Sequence, residues 1–229
     1  MLVFGRQILG LLLVFCALAV SAAPNDPYES LNRKVMGFND VADRWVLAPV
    51  ARVYHLLPLP IESGLHNAFV NLDGPVVVIN QLLQGKAALA LRDTGRFVLN
   101  TTVGLVGVFD VAQTVGLPRH DEDFGQTFEL WGIPAGPYIV LPLLGPSTPL
   151  YAVGDALETF AKPLSYLDEP LLRYGLRALG VVDKRAQLLE AEGLVSGDRY
   201  VFVRDAYLQR REFLVHDGNV SDAFLDGDD

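Results

Sequence analysis

The sequence predicts a mainly α protein. Apolar residues recur at helical spacing behind capping signals, Gly and Pro punctuate the chain between those stretches, and no alternating apolar/polar run spans more than a few residues. The 229 residues are 51% apolar and 20% charged, with a net charge of −9. Such a composition excludes a disordered chain, because enough apolar surface exists to offset the entropy of ordering. The length suits one domain, assigned to residues 23–216. An acidic chain without a basic run argues against nucleic acid as a partner.

Residues 1–22 contain no acid, and Arg6 with the terminal amine precedes an apolar run that starts at Ile8. Val20-Ser21-Ala22 then places small residues before a cut, the pattern of an export signal. The run is shorter than the roughly 20 residues a spanning helix needs. Cys16, the only cysteine, lies inside it behind the bulky Phe15, so the expectation is an apolar position and not a lipidated one. The mature chain then has no thiol for disulfides, catalysis or metal ligation.

Helix signals follow in order. Asp26-Pro27-Tyr28-Glu29 reads as a capped start with Glu29 closing a capping box. Tyr28, Leu31, Val35, Phe38, Ala42 and Trp45 mark one face of that helix, with an end expected at Pro49. Ile61, Leu65, Ala68 or Phe69, and Leu72 form a second stripe, which Asp73-Gly74-Pro75 is expected to stop. Residues 76–84 read as a short helix, with a strand as the alternative over Val76-Val77-Val78-Ile79. Residues 86–98 give another helix, with Leu91, Gly95 and Val98 aligned. Asp183 is expected to cap a helix ending at Gly193, and Asp198 a longer one running to about His216. Residues 217–229 hold five Asp and no base, which reads as an acidic, disordered tail.

Two stretches depart from an ordinary helical globule. Residues 130–154 carry no charge over 25 positions, yet five prolines forbid a continuous spanning helix. They read either as a buried crossing in a soluble core or as short in-plane pieces at a membrane beside a cavity. Residues 97–109 are also uncharged and contain Asn100-Thr101-Thr102 and Gly104-Leu105-Val106-Gly107, which read as packing or a tight turn. The acceptor pattern at Asn100 is expected to be buried by its apolar neighbours.

Signatures of chemistry are sparse. The sequence shows no nucleophile elbow, P-loop or dinucleotide fingerprint, and His55, His66, His120 and His216 share no metal-ligand spacing. His120-Asp121-Glu122-Asp123 is a local cluster that reads as a hydrated loop before it reads as a metal site. No catalytic residue, metal or cofactor is assigned, and the chain is not expected to be an enzyme. On the last helix Arg210 projects into the middle of the stripe Tyr200, Val203, Ala206, Tyr207, Phe213 and Leu214, with Arg199 close by. A cation there needs an acid, carbonyls or a phosphate. An internal ion pair and a phospholipid headgroup contact are the competing readings.

Several motifs in order resemble the MlaA/VacJ family of outer-membrane lipoproteins. They are Asp26-Pro27-Tyr28-Glu29-Ser30-Leu31-Asn32-Arg33, Phe38-Asn39, Phe97-Val98-Leu99-Asn100-Thr101 and Gly107-Val108-Phe109-Asp110-Val111-Ala112. Asp123-Phe124-Gly125-Gln126-Thr127, Gly136-Pro137-Tyr138-Ile139-Val140-Leu141-Pro142, Arg185-Ala186-Gln187-Leu188-Leu189 and Arg204-Asp205-Ala206-Tyr207-Leu208-Gln209-Arg210 follow. The resemblance implies a ring-like bundle of amphipathic helices, interrupted at Pro/Gly-broken segments, lying in the membrane plane around a channel. It implies a position in the inner leaflet of the outer membrane, facing the periplasm, beside trimeric porins. Mislocalised outer-leaflet phospholipids would pass through the channel to a periplasmic carrier, which preserves lipid asymmetry. Phe38 and Asn39 match the family's gating segment, where this sequence is one residue shorter. Gly136, Pro137, Tyr138 and Pro142 fall in the expected membrane or channel wall, and Arg199 and Arg210 are candidate phosphate contacts. Family members are usually lipid-anchored, which the Phe15-Cys16 context does not favour. A soluble periplasmic carrier of hydrophobic ligands is the alternative function.

Overall fold

The computed structural model describes residues 26–218. The expected export segment 1–22 with Cys16, and the part of the expected tail beyond residue 218, lie outside the described residues. The elements are α1 (Glu29–Ala42), a π turn (Asp43–Leu47), α2 (Ala48–Tyr54), α3 (Leu59–Leu83), α4 (Ala87–Thr102), α5 (Val111–Thr114) and α6 (Phe124–Leu130). A two-stranded hairpin, β1 (Ile139–Leu141) and β2 (Gly145–Ser147), leads to α7 (Pro149–Ala161), α8 (Pro170–Gln187) and α9 (Arg199–Val215). Short 3₁₀ turns at Pro163–Tyr166 and Glu190–Leu194 flank α8.

Contacts between elements close a circuit. The hairpin joins α1 through β1 and α9 through β2. α9 packs on α6, α6 on α7 and α3, and α3 on α4 and α8. α8 returns through α2 to the π turn and α1. Among the described residues no helix is long and apolar enough to cross a membrane.

The faces of these helices are inverted relative to a water-soluble globule. Among the described residues, 15 polar or charged side chains are buried against 12 hydrophobic ones, and 37 large hydrophobics are exposed. On α1 Leu31, Phe38 and (past its end) Trp45 of the stripe are exposed, while Val35 packs on the cluster of Tyr138, Val140 and Tyr200, and Asn32 is buried. On α4, Leu91 and Val98 face out and Ala90, Asp93, Arg96 and Asn100 face in. A polar lattice fills the interior. Asp93 accepts Gln81 Nε2 at 2.6 Å and faces His120 Nδ1 at 2.8 Å. Arg96 donates to both Asp110 oxygens, and Asn100 links Asp110 to the Ala112 amide. Buried polar groups of this density are tolerable only when paired.

Several local expectations are corrected. The helix does not end at Pro49 but continues through the π turn to Tyr54. Pro49 has no N–H to bond back along the helix and its ring crowds the preceding turn, a conflict that the widened π turn just before it relieves. Glu29 closes no capping box; it pairs with Arg33, and Asp26 instead accepts the Tyr28 amide. Asp73-Gly74-Pro75 does not stop a helix, since α3 runs through Pro75 to Leu83, and residues 76–79 are helical. Gly74 lets the Phe97 ring approach, so packing of α3 on α4 outweighs the missing bond. Asp183 caps nothing: it is buried mid-α8, accepting Tyr54 Oη at 3.0 Å and facing His66 Nδ1 at 2.9 Å. Asp198 does cap α9, through the Tyr200 and Val201 amides, and Asn100 is buried as expected. Residues 104–107 form the tight turn, with Gly107 at φ +90° pressed on the Asn71 side chain.

Candidate functional site

The charge-free stretch resolves into the hairpin and the start of α7. Asn32 and Asn39, two helical turns apart on α1, bind its backbone. Asn32 donates to Tyr138 O (3.1 Å) and accepts the Val140 amide (2.9 Å). Asn39 donates to Leu141 O (2.9 Å) and accepts the Leu143 amide (2.7 Å). Asn39 is therefore a clamp on the hairpin tip, while its neighbour Phe38 is exposed. Gly136 and Pro137 are half-buried and Pro142 is exposed. Tyr138 is buried against Tyr200 and Tyr207, each with ring centroids 6.0 Å away. Burial pushes the Tyr138 hydroxyl up to about 12.

Two cavities share α9 as a wall. One, about 600 Å³, is mostly apolar and is lined by Met36, Val46, Tyr138, Leu143, Leu144, Val181 and Phe202, with Asn39, Asp40 and Arg199 at its polar margin. The other, about 440 Å³, is strongly charged and gathers residues from α3, α4, α7, α8, α9 and the loop before α6. Arg199, Phe202 and Val203 border the first, and Tyr207, Arg210, Arg211 and Leu214 the second. Val203 and Tyr207 lie about 6 Å apart along the helix. An apolar chamber beside a charged one is the shape complement of an amphiphile.

The two singled-out arginines are therefore separated. Arg210 pairs with Asp121 at 3.5 Å on the charged cavity, and Arg199 with Asp40 at 3.4 Å on the apolar one. The more deeply placed cation is Arg211, which the sequence reading missed. It pairs with Asp123 and stacks 4.1 Å above the Tyr151 ring. Also missed were Asp155, Glu158 and Lys162, all on the charged cavity. Their i, i+3, i+7 spacing directly after the charge-free stretch was the available signal. Glu158 and Lys162 pair at 3.0 Å, and burial keeps the Glu158 carboxyl above the ordinary range.

The cluster around His120 is structural. His120 faces Asp93, Asp121 pairs with Arg119, Glu122 with Lys86, and Asp123 caps α6. Among the described residues no three His, Cys, Asp or Glu side chains are grouped to hold a metal ion.

Comparison with known proteins places this architecture. Residues 24–214 match the sequence model of the MlaA lipoprotein family. The chain is 37% identical over 203 residues to the intermembrane phospholipid transport system lipoprotein MlaA of Escherichia coli (strain K12), covering 86% of this chain and 80% of that protein. It is 37% identical over 206 residues to the protein of the same name from Haemophilus influenzae, covering 86% and 81% respectively. A solved structure described as the structural basis for maintenance of bacterial outer membrane lipid asymmetry superposes with a TM-score of 0.74 at 35% identity. That match covers 83% of this chain and 99% of the other.

Proposed function

The chain belongs to the MlaA lipoprotein family, and on that premise we propose that it is an outer-membrane component of phospholipid transport that maintains lipid asymmetry. It takes mislocalised phospholipid from the outer leaflet and passes it through its cavities toward the periplasm. The observation that carries this reading is the inverted burial, with 37 large hydrophobics outside and a polar majority inside among the described residues. In water so much exposed apolar surface is unfavourable. In a lipid leaflet it is the stable arrangement, and the polar interior becomes a path for headgroups. A soluble carrier would turn such side chains inward, which Leu31 and Phe38 on α1 and Leu91 and Val98 on α4 do not do.

No bond is made or broken in this scheme, so the chain acts as a passive conduit. Apolar outer faces hold the ring in one leaflet, with its helices in plane. The charged cavity receives headgroups and the apolar cavity acyl chains. Phe38 and Asn39 serve the gate by fixing the hairpin tip beside the apolar cavity, and Arg199 and Arg210 meet phosphates at the two chambers. Gly136, Pro137, Tyr138 and Pro142 form wall between chamber and lipid. The inner leaflet is the proposed location, trimeric porins and a periplasmic lipid carrier the proposed partners, and residues 1–22 the export signal.

Deleting the chain tests the reading. The expected result is phospholipid at the cell surface and sensitivity to detergent with chelator, restored by the wild-type copy. Wild-type behaviour of the deletion strain overturns it. Fractionation discriminates further, because a membrane-seated ring needs detergent for release and a soluble carrier leaves with carbonate.

A further inference from the structure

The charged cavity is nearly balanced, and its pairing leaves two charges over. Seven carboxylates and six Lys or Arg side chains line it. Asp73 and Glu158 share Lys162, Asp121 meets Arg119 and Arg210, Asp123 meets Arg211, Asp93 meets Arg96, and Glu122 meets Lys86. Asp155 on α7 and Lys184 on α8 alone among these lining ions form no ion pair or side-chain hydrogen bond within the described residues. Both are exposed on the wall of that one cavity, and Lys184, after Arg211 and Lys162, is among the cations whose charge reaches the Asp155 carboxyl.

We propose that Asp155 and Lys184 form a headgroup site for a phosphate ester carrying a primary ammonium, the phosphoethanolamine class. This rests on the conduit reading above and names its preferred substrate. A site for an anionic headgroup would carry an excess of base, whereas this lining has one more acid than base. An unpaired cation and an unpaired carboxylate on the wall of one cavity are complementary to a zwitterion: Lys184 meets the phosphate and Asp155 accepts hydrogen bonds from the ammonium. A trimethylammonium offers no N–H to Asp155 and is held instead by stacked aromatic faces. Phe97 and Tyr207 are the cavity's aromatic lining residues, too few for a cage. A glycerol headgroup leaves the carboxylate without a cationic partner.

The test is titration of the full-length protein in non-ionic detergent with short-chain phosphatidylethanolamine, phosphatidylcholine and phosphatidylglycerol. The ethanolamine lipid is expected to bind about tenfold more tightly than the other two, the size of one charge-assisted hydrogen bond. Asp155→Asn is expected to abolish that preference while lipid still binds, and Lys184→Gln to weaken all three lipids alike. Equal affinities in the wild type, or a preference that survives Asp155→Asn, overturn the headgroup site and leave the conduit standing. Binding of none of the three overturns both. Free phosphoethanolamine is expected to bind far more weakly than the lipid; equal binding overturns the lipid assignment in favour of a soluble phosphoamine.

Discussion

Arg185 grips Asp43 with two parallel bonds, Nε to Oδ1 at 2.7 Å and Nη2 to Oδ2 at 2.9 Å. Asp43 is the first residue of the π turn, and Arg185 lies in the last turn of α8. The pair therefore pins the widened turn of the first helix to the opposite wall of the apolar cavity, which both residues line. Lys cannot reproduce a bidentate fork. Arg185→Lys is expected to cost about 1–2 kcal/mol, and a double-mutant cycle with Asp43→Ala in thermal unfolding should show coupling of similar size. Additive effects would mean that the π turn holds its shape without the clamp.

Asn32 supplies the hairpin with the bonds a third strand would give. Removing its side chain leaves the Tyr138 carbonyl and Val140 amide without a partner in a buried place. Asn32→Ala should therefore cost about 2–4 kcal/mol, read as a lowered melting temperature. Asn32→Asp is expected to be no better, because it keeps the acceptor for Val140 but turns a carboxylate toward the Tyr138 carbonyl and Asp26.

Two glycines bring α6 against α7. A Cβ on Gly154 would lie 2.6 Å from the Gly125 backbone nitrogen, and one on Gly125 2.1 Å from the Tyr151 ring. Gly154→Ala is expected to destabilise by about 2–4 kcal/mol through forced separation of the helices. Gly175, inside α8 with nothing within 4 Å of a built Cβ, is the control. There Ala should stabilise by about 0.5–1 kcal/mol through better helix propensity. Denaturant unfolding of the two variants checks both signs.

Much of the secondary structure was legible in the sequence because its signals are local. Asp198 before an apolar stripe predicts a cap, and Asp198 is one. The direction of a stripe is another matter. Periodicity at Leu91 and Val98 marks a face of α4 without saying whether water or lipid lies beyond it, so an apolar stripe reads as inward until burial shows otherwise. Pro75 and Asp183 misled for the opposite reason: tertiary partners, the Phe97 ring and the Tyr54–His66 pair, override the local stop and cap signals. In the candidate site Arg210 stood out because it broke a stripe. Asp155 and Lys184 broke none; spacing could have marked Asp155 as one of a charged face, but only the pairing of their neighbours sets these two apart.

The outward stripe of α1 and the π turn can be read optically. Trp45 is 77% exposed and Trp131 54% exposed, and they are the two tryptophans of the chain. In a Trp131→Phe variant, Trp45 emission is expected to shift to the blue on transfer from detergent-free buffer to phospholipid vesicles, as the indole leaves water. Trp45→Glu should weaken vesicle partition with little change in the fold, since the side chain covers no core. Unchanged emission on adding vesicles would place this face in water and contradict the membrane-seated ring.

Asp155 shows what the headgroup site costs the fold. Asp155 is exposed on the cavity wall, where the desolvation imposed by the surrounding protein first, reinforced by Asp123, raises its carboxyl above the usual range, against the opposing pull of Arg211, Lys162 and Lys184. A carboxyl whose folded-state pKa is raised contributes stability that is fully present below the unfolded value and is lost as pH rises through the folded one. At neutral pH the ionised Asp155 therefore weakens the folded state. Asp155→Asn removes the charge, so the variant should melt above the wild type at pH 7, with the difference fading as pH falls below the ordinary carboxyl value of about 3.9, where the unfolded state of the wild type is protonated as well as the folded one. A variant that melts lower at pH 7, or by a margin independent of pH, would show that the carboxylate is held by partners and is not free for a ligand. A gain in stability with a loss of headgroup preference is the pattern of a residue kept for function at the expense of folding.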